Sequence, residues 1–221
     1  MNHRPIPIAV LAVLSLVLLL AGCSVAPQRD APVKSAYLLE PVRQAGAEQG
    51  PGTGQAVIGS VRVAPAFSGR GLVWRLGEGG YRSDFHHEWF SPPRDQVTTH
   101  AENWLRGAGV FAAVLPRALV RQADFRLDLV VTELYGDLAD PARPAAVVGL
   151  QVFVSDLRPC ARGRSVTPLE FEARVRLEDD RARTLAAGLS RALGRVLTRL
   201  ETRLRAAHPG DVPCPEKTPQ T

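Results

Sequence analysis

The sequence predicts an α+β fold, specifically a two-layer sandwich in which a mainly antiparallel sheet carries two helices on one face. Three observations favour this arrangement. Short segments alternate apolar and polar residues as half-buried strands do, one amphipathic helix interrupts them, and a longer amphipathic helix follows the last strand. The 221 residues are enough for one such domain together with targeting and linker segments.

In the first half of the chain, strand patterns and one helical pattern are separated by glycine and proline. The strands predicted there lie at 37–39, 57–63, 72–76, 81–85 and 110–114. Glycines within 77–80 are typical of a hairpin turn. Pro92 and Pro93 open a helix whose apolar residues recur every three or four positions, and Gly109 ends it.

The second half predicts three longer strands and a closing helix. The strands lie at 125–132, 148–154 and 169–177, and the last of them alternates strictly, which indicates burial of one face only. Asp179 and Asp180 cap a helix that runs to about Ala207. At ~1.5 Å per residue this helix is long enough to cross a whole sheet.

Composition and charge narrow the functional classes. Lys+Arg 27 against Asp+Glu 22 gives a formal net charge of +5, an excess too small to argue for a nucleic-acid partner. Lys34 and Lys217 are the two lysines of the chain, so arginine supplies nearly all of the positive charge. We attribute this bias first to codon usage and second to phosphate recognition.

The N-terminus predicts export and lipidation. An apolar run over 6–20 follows Arg4, and at ~1.5 Å per residue it is shorter than the roughly 30 Å hydrocarbon core of a bilayer. We therefore interpret 1–22 as a signal peptide. Its last residues, Leu-Ala-Gly before Cys23, resemble the bacterial lipoprotein box, so Cys23 is expected to carry acyl chains, palmitate among them. An ordinary signal peptide that contains a cysteine by chance is the alternative.

The segment 23–56 is expected to form the lipidated N-terminus and a tether or loop, since 41–56 is rich in glycine and proline. Ser24 stands where an aspartate would favour the inner membrane, which indicates the outer membrane instead. In an oxidising compartment Cys160 and Cys214 are expected to form a disulfide, with two free thiols as the alternative.

We predict no catalytic residue, no metal site and no cofactor. His86, His87 and Glu88 form a metal-like cluster, but two ligands on one strand face do not make a site. Ser190 lies inside a helix and lacks the glycine pattern of a nucleophile elbow. Strand carboxylates such as Asp128 fall at solvent-facing positions. The protein is therefore expected not to be an enzyme.

A row of arginines marks the closing helix. Arg191, Arg195 and Arg199 stand four residues apart, with Arg203 near the same face. Like charges at this spacing mildly destabilise a helix. The row is a candidate strip for anionic headgroups or an acidic partner, while a solvated face in an arginine-biased sequence is the alternative.

Several spaced segments carry a family resemblance. They are the lipoprotein box, Tyr37-Leu38-Leu39-Glu40-Pro41, Val61-Arg62-Val63-Ala64-Pro65, Leu72-Val73-Trp74-Arg75, Asp84-Phe85 through Trp89 with Pro92, Gly109-Val110-Phe111 with Val114, and Ala123-Asp124-Phe125-Arg126-Leu127. Together they resemble the ABC-type transport auxiliary lipoproteins, a PqiC-like group associated with MCE-domain lipid transporters. The resemblance assigns 57–208 to the auxiliary domain and 209–221 to a C-terminal tail, and it carries no catalytic signature.

The resemblance implies a periplasm-facing auxiliary subunit of an MCE/ABC-type phospholipid transport system that maintains outer-membrane lipid organisation. Its implied partners are an MCE-domain protein, the ABC permease and ATPase, the membrane through the lipid anchor, and candidate phospholipid or homo-oligomer contacts. The expected location is the inner leaflet of the outer membrane. A structural lipoprotein for lipopolysaccharide or barrel assembly is the alternative. Trp74, Tyr81, Trp89 and Phe90 are candidate contact aromatics, with core packing as an equal explanation.

Overall fold

A mixed sheet of eight strands and two long helices form the fold in the computed structural model, which describes residues 34–43, 52–159 and 168–207. The strands are β1 (Ser35–Tyr37), β2 (Gln55–Val63), β3 (Gly71–Arg75), β4 (Tyr81–Trp89), β5 (Ala113–Leu115), β6 (Phe125–Asp137), β7 (Ala145–Asp156) and β8 (Pro168–Arg176). The helices are α1 (Pro93–Ala108) and α2 (Ala182–Ala207), and short 3₁₀ turns lie at Pro65–Phe67, Gly77–Gly79 and Arg117–Gln122.

Strand β6 organises the sheet. One of its edges pairs along its whole length with antiparallel β7, which in turn pairs with antiparallel β8. The other edge is shared, because β2 pairs in parallel with the first half of β6 and β3 pairs in parallel with its last two residues. Further from β6, β5 pairs with β2. On the other side, β4 forms a hairpin with β3 and also pairs with β1.

The expectation of a mainly antiparallel sheet is not confirmed. Four of the seven strand pairings among the described residues are parallel. The reason is the crossover through α1, since the chain must return past a helix before β6 can run beside β2 in the same direction. Alternation of apolar residues predicts which face of a strand is buried. The same alternation occurs beside a parallel and beside an antiparallel neighbour, so it does not predict strand direction.

Both helices pack on one face of the sheet, and the main core lies between them and the strands. Helix α2 crosses β6, β7 and β8, whereas α1 covers β2 and β5 and contacts α2. The predicted apolar faces are confirmed as buried. They are Val97, Ala101, Trp104, Leu105 and Ala108 on α1, and Ala182, Leu185, Ala186, Leu189, Leu193, Val196, Leu197, Leu200 and Leu204 on α2.

The predicted helix ends are also found. Gly109 follows α1 with φ 63°, the left-handed conformation in which glycine ends helices without steric cost. Before α2, the Asp179 carboxylate accepts the Arg181 backbone N–H at 3.0 Å. This hydrogen bond satisfies one of the donors that a helix N-terminus leaves without an intrahelical partner.

Two short strands lie a few residues away from their predicted positions. The strand expected at 37–39 is Ser35–Tyr37, because Leu39 turns into the core and its N–H donates to the buried Gln96 Oε1 at 2.6 Å. The strand expected at 110–114 is Ala113–Leu115, since Val110 and Phe111 are buried before the ladder begins. The loop predicted for 41–56 ends earlier, at the start of β2.

A smaller aromatic cluster lies on the other face of the sheet. The Phe67 ring stacks on Tyr135 with centroids 5.6 Å apart, and Tyr81 meets Tyr135 edge-on at 5.8 Å. Burial, with Glu133 nearby, raises the pKa of Tyr135 to about 12. None of the helices in the described ranges combines the length and hydrophobicity needed to cross a membrane.

Candidate functional site

A groove of about 880 Å³ runs along the outer side of α2, between this helix and the segment that follows β1. It is the candidate site because it gathers the predicted arginine row. Its lining residues are Glu40, Val42, Arg43, Trp104, Arg191, Gly194, Arg195, Thr198, Arg199, Glu201, Thr202 and Arg205. Five arginines against two glutamates give the groove an excess of positive charge.

Small residues on α2 allow the N-terminal segment to form one wall of the groove. The Glu40 N–H donates to Ser190 Oγ at 3.0 Å, and this hydroxyl donates in turn to the Ala186 carbonyl at 2.9 Å. One turn later, a Cβ added at Gly194 would lie 3.5 Å from the Val42 carbonyl oxygen, so the segment lies directly over the helix. The Ser190 hydroxyl thus bonds to backbone groups of both the N-terminal segment and α2.

Glu201 fixes the floor of the groove. Its carboxylate accepts the Arg43 Nη2 at 2.8 Å and Nε at 3.0 Å, the Trp104 Nε1 at 3.1 Å and the Arg205 Nη2 at 3.3 Å. Partial burial alone would raise the pKa of Glu201, but the hydrogen bond and charge of Arg43, with hydrogen bonds from Arg205 and Trp104, lower it below its usual value. The ionised carboxylate therefore joins the N-terminal segment, α1 and α2 at one point.

Arg205 completes this junction, because it also donates to the Ala108 carbonyl at the end of α1. That carbonyl belongs to the last turn of a helix, where carbonyl oxygens lack intrahelical partners and attract cations. The floor of the groove is thus a set of charge-assisted hydrogen bonds between elements far apart in sequence. Such bonds hold the groove in one geometry.

Two of the three predicted strip residues are anchored. Arg195 Nη1 donates to the Arg174 carbonyl at 3.2 Å, and Arg199 Nη1 donates to the Glu172 carbonyl at 2.6 Å. Both carbonyls belong to β8, which within the described residues pairs with β7 alone and is therefore an edge strand. The arginines cover backbone acceptors that an edge strand otherwise exposes, which explains why their repeated charge is tolerated.

Arg191 is different. It is exposed at the start of the row and has no hydrogen-bond or ion-pair partner among the described residues. Each anchored guanidinium uses one of its five N–H donors on β8, so the row still presents donors to the groove. The three predicted residues are therefore brought together on one wall, as the four-residue spacing on a helix requires.

The metal-like cluster does not come together as a site. The His87 Nδ1 contacts Asp84 Oδ2 at 2.9 Å, while Glu88 forms ion pairs with Lys34 at 3.5 Å and Arg70 at 2.9 Å. Across the described ranges, no group of three or more His, Cys, Asp or Glu residues is placed to hold a metal ion.

The cysteine predictions fall on parts of the chain that the structure does not describe. The signal peptide, Cys23, Cys160, Cys214 and the tail 209–221 lie outside the described residues. The acylation of Cys23 and the pairing of Cys160 with Cys214 therefore stay predictions.

The candidate contact aromatics divide into two groups. Trp74 and Trp89 are buried, so core packing accounts for them. Tyr81 and Phe90 are exposed, although Tyr81 also packs against Tyr135.

Sequence reasoning missed the Glu201 junction. Arg43 and Glu201 are 158 positions apart, and nothing in their local sequence links them. One signal was present, because Glu201 is the single acidic residue of an α2 sequence that contains six arginines. A lone carboxylate among so many cations is well placed to attract further cationic side chains from neighbouring elements.

Comparison with known proteins identifies the family. A family model described as ABC-type transport auxiliary lipoprotein component matches residues 37–201. Protein XCC0632 from Xanthomonas campestris, assigned to family DUF330, has a TM-score of 0.65 at 18% identity, with 75% of this chain and 92% of that chain covered. A structure described only as an uncharacterized protein has a TM-score of 0.58 at 16% identity, with 78% and 99% covered.

These structural similarities show the fold alone because the sequence identities are low. No curated protein matches the chain. The family match, by contrast, spans well over half of the sequence and includes most of the segments that carry the resemblance. The chain therefore belongs to the ABC-type transport auxiliary lipoprotein family.

Proposed function

We propose that this lipoprotein is a non-enzymatic auxiliary subunit of an MCE/ABC-type phospholipid transport system. Acyl chains on Cys23 hold it at the inner leaflet of the outer membrane, and the domain faces the periplasm. The observation that carries the proposal is the arginine-lined groove, whose five arginines exceed its two glutamates. Its occupant is an acidic segment of the periplasmic MCE-domain partner.

The groove suits an acidic protein segment in two ways. Arg195 and Arg199 are held by their bonds to β8, so less side-chain freedom is lost when a carboxylate binds. Arg191 carries an exposed charge at one end of the row, where it attracts an approaching anion. Because these groups lie near the surface, the association is expected to weaken as salt concentration rises.

The ionic chemistry of the domain supports a role without catalysis. Asp128, Asp137 and Glu201 are buried enough for burial to raise the pKa of each carboxyl, yet hydrogen bonds from arginines lower it. A carboxyl group that acts as a general acid at neutral pH needs a raised pKa instead. These carboxylates are used to join elements of the fold.

Charge reversal in the groove tests the proposal. The acylated full-length protein is purified from the envelope in detergent, as wild type, as Arg191→Glu and as Arg183→Glu, which alters an exposed α2 arginine outside the groove lining. We expect the wild type and Arg183→Glu to recover MCE-domain and permease subunits, and Arg191→Glu to recover much less. Equal recovery by all three proteins contradicts the groove as docking surface. Recovery of a β-barrel protein instead favours the assembly alternative.

The anchor has a separate test. Cys23→Ser is expected to leave an unprocessed precursor without acyl label, because the lipid donor modifies the thiol before cleavage. Normal maturation and acyl labelling of this variant would refute the lipid anchor at Cys23.

A further inference from the structure

A braced bulge in β4 projects from the sheet edge. Val73 pairs with Ser83, but Gly71 pairs with Glu88, so two steps along β3 correspond to five along β4. The additional residues leave the ladder as a bulge. Asp84 holds it in shape, because its Oδ1 accepts the backbone N–H groups of His86 at 2.9 Å and His87 at 3.0 Å.

The bulge presents an aromatic side chain to solvent. Phe85 is 67% exposed, and the His86 ring lies edge-on to it at 5.2 Å. The Lys34 ammonium, which immediately precedes β1 on this edge, lies 5.0 Å from the centre of the Phe85 ring. The Phe85 ring is not part of the buried core of the domain, so its apolar surface is available to an external partner.

Two further exposed apolar residues lie along the same β1/β4 edge. Phe90 is 67% exposed and Leu38 is 49% exposed. They lie close together at the end of the ladder, since the Phe90 N–H donates to the Tyr37 carbonyl at 2.8 Å. We name Leu38, Phe85 and Phe90 the edge patch. All three belong to the set of large apolar side chains that are exposed in the described part of the chain.

The length of chain before β1 indicates what covers the edge patch. Lys34 contacts Phe85 and is eleven residues after Cys23. Even fully extended, these residues reach at most about 40 Å. The chain therefore enters the domain at the edge patch, from an anchor that lies in a bilayer.

The chemistry of the edge also fits a bilayer. Aromatic and leucine side chains beside cationic groups are typical of surfaces that lie in the membrane interface. The cations here are Lys34 and Arg70, which both form ion pairs with Glu88.

We propose that the edge patch inserts into the interfacial region of the membrane that holds the anchor, so that the domain rests against the bilayer along β1 and β4. This inference rests on the acylation of Cys23 in the proposed function. The acyl chains supply attachment, and the edge patch supplies orientation. The groove on α2 then stays available to the periplasmic partner.

Tryptophan fluorescence in the acylated full-length protein tests this orientation. The native Trp74, Trp89 and Trp104 are buried, so they are shielded from quenchers in lipid. Phe85→Trp places a reporter on the bulge. Leu157→Trp is the matched control, because Leu157 is 41% exposed and follows β7 beside the start of β6.

The control lies far from the edge patch. Trp74 of β3 pairs with Gly136, and the bulge lies opposite Gly71 and Val73, so it is level with residues 133–135 of β6. About eight residues of strand at ~3.3 Å each separate that level from the start of β6, beside which Leu157 lies. Each protein is reconstituted in vesicles of phosphatidylethanolamine and phosphatidylglycerol whose acyl chains are brominated near the headgroup. Flotation measures attachment, and the loss of tryptophan emission measures contact with lipid.

We expect Phe85→Trp to lose much of its added emission and to shift to shorter wavelength, while Leu157→Trp keeps its emission. If both variants float with the vesicles and neither is quenched, or both are quenched equally, the orientation is wrong and the anchor stands. If neither floats, the anchor fails and the inference fails with it. Phe90→Trp repeats the test if the Phe85 variant does not fold.

Discussion

Substitution of Asp137 by asparagine tests the ionic junction at the end of β6. The Asp137 carboxylate is 1% exposed and accepts Arg75 Nη2 at 2.6 Å and Nε at 3.1 Å, together with Arg174 Nη1 at 2.6 Å. The Ala139 backbone N–H donates to it at 3.0 Å. One carboxylate thus links β3, β6 and β8, and an asparagine side chain in its place would keep the Ala139 bond while losing the charge.

The magnitude follows from the pKa of Asp137. Burial alone would raise this pKa, but hydrogen bonds from Arg75, Ala139 and Arg174 lower it from 3.8 to about 2. A pKa shift of this size means that the fold stabilises the charged form of Asp137 by about 2 kcal/mol. Both arginines remain partly exposed and regain water when the charge is lost, so we do not expect the ~3–5 kcal/mol of a fully buried broken pair.

Urea unfolding of both proteins at several pH values is the assay. Because the folded pKa is lower than the unfolded one, the contribution of Asp137 is complete above the unfolded value of 3.8 and is lost as pH falls towards 2. Asp137→Asn should therefore lower the free energy of unfolding by about 2 kcal/mol at neutral pH and by about half as much near pH 3. Asp140→Asn, at the exposed ion pair with Arg143, should change nothing measurable. Wild-type stability of Asp137→Asn at neutral pH, or a loss that stays constant down to pH 3, would refute this reasoning.

Three further changes test the packing and the strand edge. Gly136→Ala should lower the free energy of unfolding by at least ~1–3 kcal/mol, since its Cβ would lie 2.3 Å from the Trp74 ring. Gly109→Ala should cost ~1–2 kcal/mol in urea unfolding, because its φ of 63° strains any residue with a Cβ. Replacing Arg195 and Arg199 together by alanine should promote self-association, measured by sedimentation, because it uncovers the β8 carbonyls.

Matched variants show whether these effects are specific. Gly107→Ala, on α1 with nothing within 4 Å of the added Cβ, should be neutral or slightly stabilising. Equal losses at Gly107 and Gly136 would mean that packing against Trp74 is not the cause. Arg183→Ala combined with Arg203→Ala should leave the protein in its original association state. If this pair self-associates as strongly as the Arg195 and Arg199 pair, charge loss is responsible and not the strand edge.

Much of the fold could be predicted because it depends on local periodicity. The two helix faces follow from a 3.6-residue repeat, and the β3–β4 hairpin follows from the glycines between its strands. The direction of β2 relative to β6 could not be predicted, since it depends on the crossover through α1. The bulge at Asp84 was equally hidden, because it is defined by the register of β4 against β3.

The candidate site was predicted in part. The four-residue spacing placed Arg191, Arg195 and Arg199 on one face, as the structure shows. Whether each guanidinium is free or bound depends on the position of β8 relative to α2. No local sequence pattern predicts that position. Trp89 illustrates the same limit, since its residue type suits a contact surface and a core equally well, and only the tertiary structure places it inside.

In the segment 34–43, Lys34 contacts Phe85 of the edge patch at one end, and residues from Glu40 to Arg43 form a wall of the groove at the other. Between the two ends they are held by the β1 ladder, by buried Leu39 and by the Glu40 bond to Ser190, before Arg43 reaches Glu201. A force applied to the chain at Lys34 thus acts in shear on these contacts one after another. A pull on the chain before Lys34 is therefore taken up by the β1 ladder, Leu39 and the Glu40 bond before it can displace Arg43 and change the shape of the groove.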